Sequence, residues 1–270
     1  MSGEDLSAGL SAGLSTDLER IGEALERAQA ALQRFTPGDV ASRFKQGDDP
    51  VTEADTTVDT LLRELLPRDG EGWLSEETRD DHSRLGRHRV WVVDPLDGTR
   101  EFVTGIPEWC VSVGLVVDGE PVAGGLLNPA TGETILGARG LGVTLNGQPA
   151  RVSVRPSLAG ATVLASRSEV KRGEWQGYRD LLFTIRPTGS VAYKLGLVAT
   201  GLADATWTLT PKHEWDVAAG VALVLAAGGA IVTGAPAETR FNRETPKLSR
   251  LIAAPPGLLP EIEAEIARRG

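Results

Sequence analysis

Residues 91–102 read WVVDPLDGTREF. The apolar run Trp91-Val92-Val93 is a strand signal, and it stops at two aspartates, Asp94 and Asp97, three positions apart. Pro95 fixes its own φ and withdraws a donor from the turn. Gly98 lets the backbone approach a ligand closely, and the amides of Gly98 and Thr99 follow directly. Carboxylates that grip hard cations, beside amides that grip phosphate oxygens, are what metal-assisted phosphoryl transfer requires. An Asx-type turn ending in Asp-Gly accounts for the same residues without any ligand. The spacing is not that of an EF-hand loop.

Upstream, residues 48–70 read DDPVTEADTTVDTLLRELLPRDG. Thr52 is placed to cap a helix, and Asp55, three residues on, completes a capping box. Val58, Leu61, Leu62, Leu65 and Leu66 form its apolar face, and Pro67 and Gly70 end it. The segment LSEE at 74–77 ends in Glu76 and Glu77, which a solvated charged face would explain equally. An earlier helix starts near Thr16, with Leu18, Ile21, Leu25, Ala28 and Leu32 on one side. The Gly/Ser-rich residues 1–15 read as a flexible tail.

Downstream, CVSVGLVV, PVAGGLL, ETILGA, GVTL and ARVSV are separated by Asp118-Gly119, NPATG and Asn146-Gly147. These are hairpin signals and predict an antiparallel meander. After Pro156 the pattern alternates. TVLAS, ADATWTL, AIVTG and RLIAA read as strands. SVAYKLGLVATG reads as a helix capped by Ser190, DVAAGVALVLAAGG as a buried helix starting near Asp216, and LLPEIEAEIARR as a closing helix. The pattern suggests two layered lobes, residues 16–155 and 156–270. Helix capping alone would explain Asp216. The acids nevertheless share a position, each at the end of an element beside an apolar run, from which they can converge on one cleft.

The 270 residues suffice for a buried core. A net charge of −9 argues against general nucleic-acid binding. One cysteine, Cys110, excludes an intrachain disulfide and argues against a Cys-based zinc site, and its plain reading is a small buried residue. No run approaches membrane-span length, and the first residues lack the pattern of a signal peptide, so a cytoplasmic protein is expected. His82 and His88 read as exposed loop residues and His213 lies near Asp216, outside any triad pattern.

WVVDPLDGTREF closely resembles the central motif of the inositol monophosphatase superfamily. HEWDVAAG (213–220) resembles its second signature, LSEE its acidic pair, and VTEAD (51–55) its upstream threonine–aspartate segment. The resemblance runs over residues 16–270 in matching order. Together with the pattern above, the fold expected is α/β (α+β layered), an α-β-α-β-α sandwich. Its first lobe would hold an antiparallel sheet and its second a mixed one. D-G-T-R-E-F and GSVAYK (189–194) look like the CysQ-type 3′(2′),5′-bisphosphate nucleotidase branch. Inositol phosphatases place a glutamate seven residues before the second-motif aspartate; here that residue is Leu209, which weakens an inositol reading.

The resemblance implies that Glu76, Asp94, Asp97 and Asp216, with the Leu96 carbonyl, bind two or three Mg²⁺ ions. It implies that Gly98 and Thr99 offer amides to the phosphate, and that the Thr99 hydroxyl and Asp55 orient the attacking water. It also implies lithium sensitivity. The expected activity is hydrolysis of a phosphate monoester, most of all adenosine 3′,5′-bisphosphate. Gly189, Ser190 and Lys194 would lie on the substrate side, and Lys194 or Arg167 could meet a second phosphate, although a solvated lysine explains Lys194 as well. Trp207 or Trp215 could stack on a base, although core packing is the commoner use of Trp. The rival readings are an inositol or fructose-bisphosphate phosphatase and a non-catalytic metal-binding regulator. Nucleic acid and membrane are not expected partners, and a homodimer is left open.

Overall fold

The computed structural model describes residues 3–44, 50–208 and 210–269. In chain order, the first half holds α1 (Gly3–Leu32), β1 (Ser42–Phe44), β2 (Pro50–Thr52), α2 (Glu53–Leu65), β3 (Gly72–Ser75), β4 (Arg89–Asp97), α3 (Thr99–Val103), β5 (Cys110–Val117), β6 (Glu120–Asn128), β7 (Glu133–Ala138), β8 (Gly142–Leu145) and β9 (Gln148–Ala150). The second half holds β10 (Thr162–Ser166), α4 (Arg167–Lys171), β11 (Thr184–Thr188), α5 (Val191–Ala199), β12 (Ala205–Thr208), β13 (Lys212–His213), α6 (Glu214–Ala226), β14 (Ala230–Thr233), β15 (Lys247–Leu248), β16 (Leu251–Ala254) and α7 (Leu259–Arg269).

β4 shows why the layers stack as they do. Successive side chains on a strand point to opposite faces. Trp91 and Val93 join a core with α1 and α2. Val90 and Val92 join another with Leu195 and Val198 of α5 and Val217 and Val221 of α6. A strand buried on both faces must be apolar throughout, which is what the unbroken run from Val90 to Val93 supplies. β4 lies second in a seven-stranded sheet ordered β3-β4-β5-β6-β7-β8-β9. Only the β3–β4 pair is parallel; β5 to β9 form the expected antiparallel meander, and β4 adds to it antiparallel to β5.

The other sheet runs β11-β10-β12-β16-β14 and is mixed: β10 is parallel to β11 and β12, whereas β16 is antiparallel to β12 and β14. Its inner residues Leu164, Leu251 and Ala253 join the α5–α6 core. Its outer residues Val163, Trp207 and Ile252 pack with Ile262 and Ile266 of α7. The molecule is therefore the α-β-α-β-α sandwich expected from the sequence, with α5 and α6 as the middle layer.

α6 is apolar on all sides because it is enclosed on all sides, and it approaches the seven-stranded sheet closely. A Cβ at Gly124 would lie 2.4 Å from the Ala219 carbonyl oxygen, and one at Gly114 2.8 Å from the Ala219 nitrogen. The next residue, Gly125, faces the other way, where a Cβ would meet Ile21 of α1 at 2.3 Å. The Gly124-Gly125 pair thus admits one helix on each face.

Four details differ from the sequence reading. Residues 3–15, read as part of a tail, belong to α1, which begins thirteen residues before the apolar stripe marked from Thr16. Leu65, placed on the buried face of α2, is 36% exposed. ARVSV ends as a strand at Ala150, because the chain then leaves β9 and the Val152 amide bonds to Ala227 O at the end of α6. β11 went unread because Pro187 and Arg186 break its apolar pattern. Among the described residues, no helix is long and apolar enough to cross a membrane.

α1 is pinned to the sheet by a polar knot. Glu71 accepts from Arg20 (2.9 Å), Arg89 (2.8 Å) and the Trp91 indole (2.9 Å), and Arg89 also reaches Asp17 (2.7 Å). Burial pushes the Glu71 carboxyl up, but the Arg20, Trp91 and Arg89 hydrogen bonds outweigh it and hold its pKa down to about 2. A depressed carboxyl contributes stability that is complete above its ordinary pKa of 4.5 and lost as the pH falls toward 2. Glu71→Gln should therefore cost about 2 kcal/mol at pH 7, a drop of about 5 °C in Tm. Thermal melts from pH 7 down to pH 3 should show the gap from wild type narrowing below pH 4.5; a gap that stays constant would contradict the charge-based account.

Candidate active site

The register of β4 against β5 explains how Asp94 and Asp97 come to act together. Residues three apart on a regular strand face opposite ways. Here Asp94 pairs with Ser112 and Asp97 with Cys110, so three steps on β4 match two on β5. This is a β-bulge, and its extra residue returns Asp97 to the side of Asp94. Asp94 does make the Asx-type bond, Leu96 N to its Oδ1 at 3.0 Å. The turn and the acidic site are the same object.

Asp94 meets two acids from elsewhere. Glu76 follows β3, and its amide bonds to Val93 O at 3.3 Å. Asp216 stands in the first turn of α6, two residues in from Glu214. His213 is the N-cap, not Asp216, whose carboxylate reaches back to accept the His213 amide at 2.9 Å. Glu76, Asp94 and Asp216 place carboxylate oxygens within 4.8 Å of one another. Burial raises the Asp94 carboxyl well above the usual range, and the charges of Glu76, Asp97 and Asp216 raise it further. Burial likewise raises Asp216, helped by Asp97 and Glu76.

Asp97 adjoins this trio without belonging to it. Its Oδ2 accepts from Ser190 Oγ (2.7 Å) and the Ala192 amide (2.5 Å) at the start of α5. Burial raises Asp97 as well, against the pull of those two bonds and of Lys194.

Gly98, with φ +99°, caps the short helix α3. A Cβ there would lie 3.0 Å from Glu108 O, so the tight return after Asp97 requires glycine. Thr99 Oγ donates toward Asp55 Oδ1 and Leu96 O, both at 3.0 Å. Asp55 completes the predicted capping box: its Oδ2 accepts from Thr52 N (2.8 Å) and Thr52 Oγ (2.6 Å). One carboxylate thus caps the start of α2 with one oxygen and holds Thr99 with the other. Burial raises its pKa against those bonds.

The trio opens into a cavity of about 480 Å³, also lined by Asp97, Gly98, Thr99, Gly189, Ser190 and Lys194. Lys194 is buried, not solvated. Its Nζ donates to Ser190 O at 2.9 Å, and burial draws its pKa down to about 8, with Asp97 resisting and Lys212 adding to the fall. Arg167 is spent on Glu108, at 2.5 and 2.8 Å, and Glu108 also takes the Gly189 amide at 2.7 Å. Trp215 lines the cavity and stacks on His213 with centroids 4.3 Å apart. Trp207 does not reach it: it is 1% exposed in the core beneath α7, which rules out base stacking. His82 and His88 are exposed, as expected. Leu209 lies outside the described residues.

Sequence reasoning missed Glu101, Glu108 and Lys212. Glu101 lines the cavity against Gly189, where a Cβ would sit 2.4 Å from Glu101 Cγ. Burial raises its carboxyl, as do Asp97 and Glu108. The E-F after D-G-T was the available signal for Glu101; Glu108 and Lys212 lie in stretches with no periodicity to mark them.

A model of the inositol monophosphatase family matches residues 14–269. This chain belongs to the inositol monophosphatase family. It is a phosphatase of that family, and a phosphate ester fits as its substrate. It is 37% identical over 190 residues to an inositol-1-monophosphatase of Rhizobium meliloti (strain 1021), covering 67% of this chain and 71% of that one. The inositol monophosphatase structure from Anabaena (Nostoc) sp. PCC 7120 superposes with a TM-score of 0.77 at 27% identity, over 95% of this chain and 97% of that one. CysQ from Bacteroides thetaiotaomicron, described as a bacterial member of the inositol monophosphatase family, gives 0.73 at 25% identity, over 89% and 97%. The acidic cluster of this family member is one that can hold a metal ion.

Proposed function

We propose that this chain hydrolyses small phosphate monoesters with magnesium as its resident cation, and that its preferred substrate carries a second phosphate, adenosine 3′,5′-bisphosphate first among candidates. The observation that carries the hydrolytic reading is the carboxylate trio, Glu76, Asp94 and Asp216 within 4.8 Å, in one cavity with Thr99, whose hydroxyl Asp55 holds from behind. An all-oxygen anionic donor set suits a hard cation, and three crowded acids need a counter-charge. Glu76, Asp94 and Asp216 would hold the magnesium ions, together with Asp97 and the Leu96 carbonyl. Bound there, magnesium supplies positive charge to the phosphoryl oxygens and acidifies water enough for attack near neutral pH.

The chain's own groups do the rest. Backbone amides at Gly98 and Thr99 stand beside the acids for the phosphoryl oxygens. Thr99 Oγ has one proton and two acceptors, Asp55 and Leu96 O. Whichever takes it, the hydroxyl keeps lone pairs to accept from and align a water. In the net reaction, water oxygen becomes bonded to phosphorus, the ester P–O bond breaks, and the alcohol leaves with a proton.

The second-phosphate reading rests on Lys194 and Lys212. Both line the cavity, and the Lys212 charge adds to the fall in the Lys194 pKa, an effect that a bound anion would relieve. Gly189 and Ser190 form the turn that presents this wall. Inositol 1-phosphate is the second reading, favoured by the names of curated relatives.

Phosphate release with Mg²⁺ from adenosine 3′,5′-bisphosphate, inositol 1-phosphate and fructose 1,6-bisphosphate separates these readings. The highest kcat/KM is expected for the nucleotide. Lys194→Met should raise KM for the nucleotide about tenfold, equivalent to about 1.4 kcal/mol, and hardly alter turnover of inositol 1-phosphate. Inositol 1-phosphate ranking first would overturn the substrate reading alone. No release from any of the three would overturn the hydrolytic reading too and leave a metal-binding regulator.

A further inference from the structure

Beyond the cavity lies a second buried polar cluster that the chemistry above does not use. Arg84, in the loop between β3 and β4, and Glu214, the first residue of α6, are both 0% exposed. The loop between β14 and β15, at residues 240–246, runs between Arg84 and Glu214. Arg84 binds the Asp80 carboxylate through Nη2 (2.7 Å) and Nε (3.1 Å). It also donates to Asn242 Oδ1 (2.7 Å) and Arg243 O (3.0 Å), and Asn242 Nδ2 returns a bond to Arg84 O (3.1 Å). On the other side, the Glu214 carboxylate accepts from Asn242 N (2.7 Å) and from Arg243 N and Nε (3.3 Å each). The Glu214 amide donates to Pro246 O at 2.9 Å.

Burying two charged side chains costs several kcal/mol each before pairing returns any of it. Apolar residues would fill the same space at less cost, so stability alone does not account for the cluster. Its placement does. Asp80 is four residues after Glu76, and Glu214 is two residues before Asp216. The cluster ties together the two chain segments that bring acids to Asp94 on β4. Like charges crowded within 4.8 Å push apart, and a rigid bonded brace behind them opposes that push. Asn242 is the keystone: its side chain engages Arg84 while its amide engages Glu214, and it holds φ +60° to do both. Asparagine tolerates that conformation better than most side chains.

We infer that Asn242 is a positioning residue that fixes Asp216 relative to Glu76 through Arg84 and Glu214, and so sets the affinity of the trio for a divalent cation. The inference rests on the reading of the trio as the magnesium site. The variant that isolates it is Asn242→Gly. Glycine adopts positive φ freely, so the loop backbone and its bond to Glu214 remain and only the amide against Arg84 is lost.

The measurement is Mg²⁺ binding by titration calorimetry on the full chain. Asn242→Gly is expected to bind Mg²⁺ about five- to tenfold more weakly, at the lower edge of what groups behind metal ligands contribute. At saturating Mg²⁺ its substrate KM should match wild type. Glu71→Gln, destabilised at the opposite end of β3 from Glu76, controls for a general loss of stability and should bind Mg²⁺ as wild type does. If Asn242→Gly does not fold, Asp80→Asn, which loosens Arg84 from its half-buried side, should weaken binding about tenfold. Unshifted affinity in the folded variant, or an equal shift in Glu71→Gln, overturns the inference and leaves the hydrolytic reading standing. A wild-type chain that takes up no Mg²⁺ overturns both.

Discussion

Asp94→Asn is expected to lower the rate of phosphate release by about a thousandfold, about 4 kcal/mol of barrier. Stripping divalent ions from the wild-type chain with EDTA should give a loss at least as large. Asparagine keeps the volume of Asp94, its burial and an oxygen for the Leu96 amide. What it removes is one negative charge from the trio. That change has two opposite consequences. In chelator, the crowding of Glu76, Asp94 and Asp216 within 4.8 Å opposes their ionisation, since a pair of full charges near that distance would cost about 3–4 kcal/mol at an effective dielectric of ~20. Asp94→Asn relieves part of this, so without metal the variant should melt at or above the wild-type temperature. With saturating Mg²⁺ the order reverses, because the wild type gains stability by binding and the variant gains little. Thermal melts with and without Mg²⁺, read beside phosphate release, test both signs together. Wild-type turnover by Asp94→Asn would remove the trio from the mechanism.

Gly124→Val should be the most destabilising change at a single residue outside the site, costing upwards of about 3 kcal/mol and roughly 10 °C in Tm. Its Cβ would press on the Ala219 carbonyl oxygen at 2.4 Å, and a backbone atom inside a helix cannot turn aside as a side chain can. α6 must shift as a body, and Asp216 shifts with it. The fraction that stays folded should therefore also lose phosphate release. Gly125→Ala is the matched comparison. Its Cβ would meet the side chains of Ile21, Leu25 and Leu136, which can repack. It should lower Tm while leaving kcat per folded molecule near wild type. Equal loss of kcat in both variants would contradict the view that α6, and not the general integrity of the core, positions Asp216.

The trio was legible because each acid sits where an apolar run ends, and because four short motifs in order carry a family resemblance. Asp55 was legible twice over, as a helix cap and as a partner of Thr99, and the structure has it serve as both. The bulge between Asp94 and Asp97 was not legible, since Pro95 signals a break in the strand but not the register on β5. Nor did the sequence reading separate Trp215, in the cavity, from Trp207, in the core, because core packing and ligand stacking both call for a large flat apolar side chain. The Arg84–Asn242–Glu214 brace joins residues 158 and 28 positions apart. Nothing local marks such partners, which meet only through the folded chain.

The two sides of the cavity come from different sheets. Glu76, Asp94 and Asp216 ride on the seven-stranded sheet and the helix laid against it, whereas Ser166, Arg167 and Ser168 arrive from the end of β10 in the other sheet. Replacements along that second wall leave the acids where they are. A lineage built on this plan can change which molecules it accepts while inheriting its means of cleavage intact.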